Sequence, residues 1–257
     1  MFLNHHVPPP GKQSIISLVP SLTELLFDLG LGDDVTGITK FCVHPNEWFR
    51  SKIKIGGTKT IDVEKVKSLR PSLIIANKEE NVQSQVEALS DFPVWLTDVN
   101  NFEDALQMIR DIGHITGRSE KADKLVGDIK ESFSVIKTNS NPAQVVYLIW
   151  KDPYMTIGGD TFISDMLTRT GMRNVFENRS RYPEVSIDEI RNSGCDLLLL
   201  SSEPYPFKQK HADELTQLLP KIKIKIVDGE MFSWYGSRLL KAAAYLKNLQ
   251  AGFLSPA

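Results

Sequence analysis

The chain has 257 residues, of which 41% are hydrophobic and 24% charged, and its net charge is −2. That length allows one large domain or two smaller lobes, and the composition is that of an ordinary globular protein. The near-neutral charge gives no general reason to expect a nucleic-acid partner, and no apolar run approaches the ~20 residues of a membrane span.

From the start, "MFLNHHVPPPGKQS" has none of the basic, apolar and small-residue segments of a signal peptide, and His5 and His6 read as part of a tail. Short apolar runs then alternate with amphipathic stretches, the pattern of an α/β protein. Strands are expected at 14–19, 35–39, 73–76 and 94–97 in the first half, and at 144–150, 197–201 and 224–228 in the second. Helices are expected at 21–29, 62–69, 81–89, 161–169, 187–193 and 237–250. "SLTE" at 21–24 has the form of a capping box, with Ser21 as N-cap and Glu24 reaching back. Between the halves, helical periodicity runs from "NFEDALQMIRDIGHITG" through "RSEKADKLVGDIKESFSVIK" with no strand pattern. Gly117 breaks it, so 117–138 reads as one connecting helix, followed by the loop "TNSNPA". This divides the chain into an N-terminal lobe, 1–116, the helix, and a C-terminal lobe, 139–257. In "KIKIKIV", Lys221, Lys223 and Lys225 alternate with isoleucines, as in a strand with one solvated face.

The two halves resemble each other. "DVEKVKSLRPSLII" (62–75) aligns without gaps on "SIDEIRNSGCDLLL" (186–199). Each begins a helix with an acid at its second position, Glu64 or Asp188, has a base three residues on, Lys67 or Arg191, and runs into a buried strand. Upstream, the helix ending "DLGL" corresponds to the one ending "RTGM". Gly30 lies 34 positions before Glu64, whereas Gly171 lies 17 before Asp188, so the first half carries an insert containing "KFCVHPNEWFRSKIKIGG". Two matches in order argue for two related lobes.

Ligands of open α/β sheets bind beyond the carboxyl ends of the strands. Those ends here are rich in aromatics: Phe41, Trp150, Tyr154, Tyr205, Phe207, Phe232, Trp234 and Tyr235. Such a set suits a large, flat or partly apolar ligand, or else packs the lobes internally. Cys42 and His44, in "TKFCVHP", admit several readings. On an extended chain, residues two apart lie roughly 6.5–7 Å from each other, beyond the reach of a nucleophile and its base. A metal clip needs further ligands. The remaining readings are a buried cysteine beside a structural histidine, and two residues of a cleft wall of which His44 is the better contact.

The segments "SLVPSLTELLFDLGLGDDVTGIT", "IGGTKTIDVEKVKSLRPSLIIA", "GGDTFISDMLTRTGMRNVF", "VSIDEIRNSGCDLLLL" and "YGSRLLKAAAYL" run in order over nearly the whole chain. In them the chain resembles the helical-backbone (class III) periplasmic substrate-binding proteins of ABC importers, and within these the corrinoid-binding branch. The resemblance implies two Rossmann-like lobes joined by one long helix, with the ligand clamped in a cleft between them. It also implies that one acid at a helix start in each lobe, here Glu64 and Asp188, docks onto arginines of a permease dimer. An acid in a first helical turn is also favourable to the helix dipole by about 0.3–1 kcal/mol, which is the competing structural role. Thr58 and Asn77 stand where corrinoid binders can present large aromatics.

The resemblance and the strand ends together imply a monomeric binding protein rather than an enzyme, with no intrinsic cofactor. Its ligand is a metal chelate, a cobalamin-like corrinoid by preference, with a ferric siderophore or haem as the other members of the class. The expected contacts are Phe41, His44, Trp150, Tyr182, Trp234, Tyr235 and Arg238. Aromatics would cover the ring faces, Arg238 would meet an amide or carboxylate edge, and His44 would supply an axial nitrogen or a hydrogen bond. Family members are periplasmic, whereas the missing signal points to the cytoplasm. The rival readings are a cytosolic protein that handles corrinoids or chelates, and a metal-dependent enzyme built on Cys42 and His44.

Overall fold

The computed structural model describes residues 1, 3, 8, 11–136 and 142–254. His5, His6, the end of the expected connecting helix at 137–138 and most of the "TNSNPA" loop lie outside the described residues. The first half runs β1 (Ile15–Ser17), α1 (Pro20–Asp28), β2 (Val35–Ile38), α2 (Asn46–Ser51), β3 (Ile53–Lys54), α3 (Val63–Ser68), β4 (Leu73–Asn77), α4 (Gln83–Glu87) and β5 (Val94–Thr97). Helices α5 (Phe102–Ile115) and α6 (Ser119–Ser134) follow. The second half runs β6 (Ala143–Leu148), α7 (Phe162–Arg169), β7 (Met172–Asn174), α8 (Ile187–Asn192), β8 (Leu197–Ser201), α9 (Gln209–Leu218), β9 (Lys223–Val227), α10 (Glu230–Ser233) and α11 (Leu239–Leu254).

Two wholly parallel sheets result, in the orders β3-β2-β1-β4-β5 and β7-β6-β8-β9. The two orders coincide once β3 is removed. The insert of the first half therefore adds α2 and the edge strand β3, and leaves the rest of the plan unchanged. Every residue of β4 (LIIAN) and of β8 (LLLLS) is buried, as expected of central strands covered on both faces. In the second half Leu198 and Leu200 pack with Val146, Leu148, Ile190 and Leu215.

The internal repeat is visible in the local geometry. Helices α1 and α7 each end two residues before a glycine with positive φ, Gly30 at +78° and Gly171 at +70°. Glycine takes that left-handed turn without a side-chain clash. Helices α3 and α8 have six residues each and are capped by Asp62, which accepts from Lys65 N, and by Ser186, which accepts from Glu189 N. Glu64 and Asp188 are their second residues.

Two sequence expectations change. Ser21 is not an N-cap: α1 begins at Pro20, whose fixed φ and missing N–H suit the first helical position, and Val19 precedes it. Strands β3 and β7, of two and three residues, were not expected, because such short pieces carry no readable alternation. The helical middle divides at Thr116–Arg118, with Gly117 at φ +67°, where the sequence placed the break.

By contact density the chain forms two compact units. Unit 1 comprises Met1–Val99, Glu103–Gly127 and Tyr235–Arg238, and unit 2 comprises Asn100–Phe102, Asp128–Trp234 and Leu239–Ala257. The changeover at Gly127 falls inside α6, so that helix contributes to both, whereas the sequence reading set the lobe limits at 116 and 139. Residues 235–238 belong to unit 1 although both of their flanks belong to unit 2. The lysine face of β9 is solvated, with Lys223 and Lys225 exposed and the isoleucines half-buried. No helix among the described residues is long and apolar enough to cross a membrane.

Candidate functional site

In each sheet the chain reverses its direction of travel between two adjacent strands, β1 and β4 in unit 1 and β6 and β8 in unit 2. Loops leaving the carboxyl ends of such strands form the natural ligand position of an open α/β sheet. Most of the residues singled out in the sequence lie on these loops or on their neighbours.

In unit 1, the turn after β2 carries Phe41, 52% exposed, with Lys40 Nζ 5.3 Å from the centre of its ring. Cys42 faces inward. Thr23 Oγ1 donates to its Sγ at 3.1 Å, and Thr39 Oγ1 lies at the same distance. Burial pushes the Cys42 thiol up, away from the thiolate form that a nucleophile or metal ligand needs. His44 is half-buried. Among the described residues no group of three or more His, Cys, Asp or Glu side chains is placed to hold a metal ion.

The "NKEEN" loop after β4 is pinned by its own amides. Asn77 Oδ1 accepts from the backbone N–H groups of Glu79 (2.9 Å) and Glu80 (3.1 Å), while Asn77 Nδ2 donates to Thr97. Asn81 Nδ2 donates to the carbonyls of Leu18 and Thr58. Asn77 thus closes a turn with its side chain buried. On the same unit, Tyr235 OH donates to Glu80 Oε1 at 2.9 Å, and Arg238 Nε donates to Glu24 Oε2 at 2.7 Å. Gly236 between them has φ +133°, and a Cβ there would stand 3.3 Å from the Ser21 carbonyl oxygen.

In unit 2, antiparallel bridges link Trp150 to Met155 and Met155 to Glu184, so Trp150 and the "RYPE" segment of Tyr182 share one small ladder. Trp150 is 40% exposed and meets Tyr205 edge-on, with ring centres 5.7 Å apart. Tyr205 is held in turn by Phe207 at 4.8 Å and by His211, whose Nε2 lies 3.4 Å from the tyrosine hydroxyl. Tyr182 is half-buried, with the Arg181 guanidinium 5.6 Å from its ring centre. After β8, Glu203 Oε1 accepts from Ser233 Oγ at 2.7 Å and from Trp234 Nε1 at 3.0 Å. Burial raises the Glu203 carboxyl despite these donors, and the acids Glu230 and Asp228 push the same way.

The expected contacts therefore separate into two groups. Phe41 and Trp150 present open aromatic surface, and His44 and Tyr182 are half-exposed. Trp234, Tyr235 and Arg238 are more than nine-tenths buried, and a glutamate of the same unit engages a polar group of each. A buried polar atom needs such a partner, so these bonds belong to the frame of each unit. Sequence reasoning missed Glu24, Glu80 and Glu203 in this role. No local signal marks them, because their partners lie 214, 155 and 31 positions away.

The helix-start acids are open to solvent, with side chains 87% exposed at Glu64 and 80% at Asp188. Lys67 Nζ is 3.8 Å from Glu64, and Arg191 pairs with Asp188. The neighbouring Glu189 serves differently. Hydrogen bonds from Arg179 and from Ser186 hold its carboxyl down to about 2, and it closes the capping box of α8.

A polar groove in unit 2, lined by Asn100, Asp160, Ser164, Asp165 and Arg181 among others, is knitted to itself: Arg181 bonds Asn100 and Asp160, and Asp165 accepts from the Phe102 amide.

The model of the family described as "Periplasmic binding protein" matches residues 15–218. The vitamin B12-binding protein of Vibrio parahaemolyticus is 27% identical over 195 residues, covering 74% of this chain and 70% of its own length. An uncharacterized ABC transporter substrate-binding lipoprotein of Bacillus subtilis, YvrC, is 26% identical over 249 residues, 91% of this chain and 78% of its own. Among solved structures, the periplasmic heme-binding protein RhuT from Roseiflexus sp. RS-1 has the same fold, with a TM-score of 0.80 at 21% identity over 95% of this chain and 98% of the other. The chain belongs to the periplasmic binding protein family.

Proposed function

We propose that this protein captures a metal chelate, a cobalamin-like corrinoid by preference, and delivers it to the permease of an ABC importer. Haem and ferric siderophores are the alternative members of the same ligand class. The observation that carries the reading is the pair of open aromatic side chains, Phe41 and Trp150, on loops at the carboxyl ends of the strands. Ring faces of this kind cover planar, largely apolar ligands, and Lys40 beside Phe41 adds a cation for a polar edge. The names of the relatives, vitamin B12-binding and heme-binding, support the same class.

His44 and Tyr182 complete the contact set as polar groups, with His44 able to offer a ring nitrogen to a metal or a hydrogen bond to an amide. Trp234, Tyr235 and Arg238 act behind this surface by fixing the loops. Glu64 and Asp188, equivalent in the two halves and open to solvent, are the docking acids for arginines of a two-fold permease. The protein works as a monomer outside the cytoplasmic membrane. The resemblance to lipoprotein and periplasmic relatives supports that placement.

The test is a visible-absorption titration with cobalamin, haem and a ferric siderophore. One of the three changes its spectrum at one equivalent if the reading holds. No change with any of them refutes it.

A further inference from the structure

In unit 2 the loop after β8 and the start of α9 back the segment that carries Trp150. Tyr205 N–H donates to the carbonyl of Ile149 at 3.3 Å, and the Tyr205 ring meets the Trp150 indole edge-on at 5.7 Å. Trp150 is thus held by its own bridge to Met155 on one hand and by the Tyr205 ring on the other.

Behind Tyr205 stands His211, the third residue of α9, only 7% exposed. Its ring centre lies 5.5 Å from that of Tyr205 and 5.7 Å from that of Phe207, to which it is perpendicular. His211 Nδ1 accepts from the backbone N–H of Lys208, the N-cap residue of α9, at 2.9 Å. A neutral ring that accepts at Nδ1 carries its proton on Nε2, which lies 3.4 Å from the Tyr205 hydroxyl. One imidazole therefore ties the first turn of α9 to the ring that backs Trp150.

A proton added at Nδ1 sets donor against donor. The Lys208 N–H loses its acceptor, and a cation is left in a buried site. Burial pushes the imidazole below its ordinary 6.5, and Lys210 and Lys208 on its own segment and Lys151 on the loop after β6 act in the same direction. Glu214 on α9, which accepts from Lys151 at 2.6 Å, opposes them. The hold on Tyr205 is therefore complete above pH 6.5 and is lost as pH falls through the lower folded value.

We propose that neutral His211 is a positioning residue for Trp150, acting through Tyr205, and that its protonation frees the indole and weakens ligand binding. Only the last step rests on the reading of Trp150 as a ligand contact.

The ligand-free protein tests the first step. Emission from Trp150, taken as the difference between the unmodified protein and Trp150→Phe, is followed from pH 7.5 to 4.5. The imidazole proton NMR signal of His211 is followed alongside, assigned by its absence in His211→Asn or, should that variant fail to fold, in His211→Gln. One emission step is expected, below pH 6.5 and at the midpoint of the ring signal. An asparagine oxygen can take the Lys208 N–H but binds no proton, so the step should vanish in His211→Asn. Flat emission while His211 titrates, a step that persists in His211→Asn, or a ring that stays neutral to pH 4.5 overturns the proposal. So does loss of circular dichroism at the same midpoint, which would make the step acid unfolding. The last step is read by titrating cyanocobalamin and haem at pH 7.5 and 5. Acidification should weaken binding about three- to tenfold more in the unmodified protein than in His211→Asn, the worth of one aromatic contact. Any share of His44 in the pH effect is common to both proteins. Equal pH dependence in the two overturns the link to ligand. Absence of binding at pH 7.5 would instead refute the chelate assignment, and the emission step then decides the role of His211.

Discussion

Replacing Arg238 with methionine removes the guanidinium against which the Glu24 carboxylate is buried. The pair is closed at 2.7 Å, with side chains only 6% and 7% exposed, so water cannot take over the lost interaction without opening unit 1. Breaking a buried pair by deleting one partner costs about 3–5 kcal/mol, mostly because a charge remains in a low-dielectric site. With a urea dependence of about 3 kcal/mol per molar, the unfolding midpoint drops by about 1–1.7 M. The double variant Glu24→Leu with Arg238→Met exchanges the pair for apolar contact and should regain most or all of that loss. Urea unfolding followed by tryptophan fluorescence measures both. If the single variant costs under about 1 kcal/mol, the pair is hydrated like a surface bridge, and the claim that Arg238 belongs to the frame of unit 1 fails. Ligand affinity gives the second reading. A double variant that is stable yet binds the chelate much more weakly would return Arg238 to the ligand contacts.

The remaining predictions concern other groups of the site. Glu203 has a folded-state carboxyl above its ordinary 4.5, so the native state holds its proton more tightly than the unfolded one. Stability from this group is therefore fully present below pH 4.5 and is lost as pH rises through the higher folded value. Glu203→Gln, which can still accept from Trp234 and Ser233, should be the more stable form at pH 7–8, with the difference shrinking toward pH 4.5; a constant difference across that range would contradict it. Cys42→Ser should keep chelate affinity within a factor of a few, since a hydroxyl fits between Thr23 and Thr39, whereas His44→Ala should weaken it further. Equal losses accompanied by release of zinc would make the pair a metal site. Glu64→Lys with Asp188→Lys should leave fold and ligand affinity intact and reduce permease association and transport, because both side chains are open to solvent. Lost ligand affinity would instead make these acids structural.

The strands β5 and β8 were legible to the residue, 94–97 and 197–201, because β-branched or leucine runs bounded by turn residues have few other uses. The repeat was legible too, since α3–β4 and α8–β8 keep one spacing. What could not be read were short or distant features. Strands β3 and β7 exist through pairing with neighbours, not through their own pattern. Ser21 and Glu24 satisfied a local capping rule, but Pro20 starts the helix, and Glu24 is taken by an arginine 214 residues away. Tryptophan, tyrosine and arginine at 234–238 were expected as ligand contacts by type and position; the sequence carried no sign of the glutamates that engage their polar groups in the folded chain.

The central claim is that the open rings at the strand ends hold a metal chelate. Isothermal titration of the protein with cobalamin, haem and a ferric siderophore, repeated with Phe41→Ala and Trp150→Ala, tests it most directly. The account predicts one-to-one binding of at least one of them at micromolar affinity or better, weakened about tenfold or more by each substitution, the equivalent of ~1.4 kcal/mol or one good aromatic contact. Absence of heat with all three ligands, or binding that both variants retain unchanged, contradicts it.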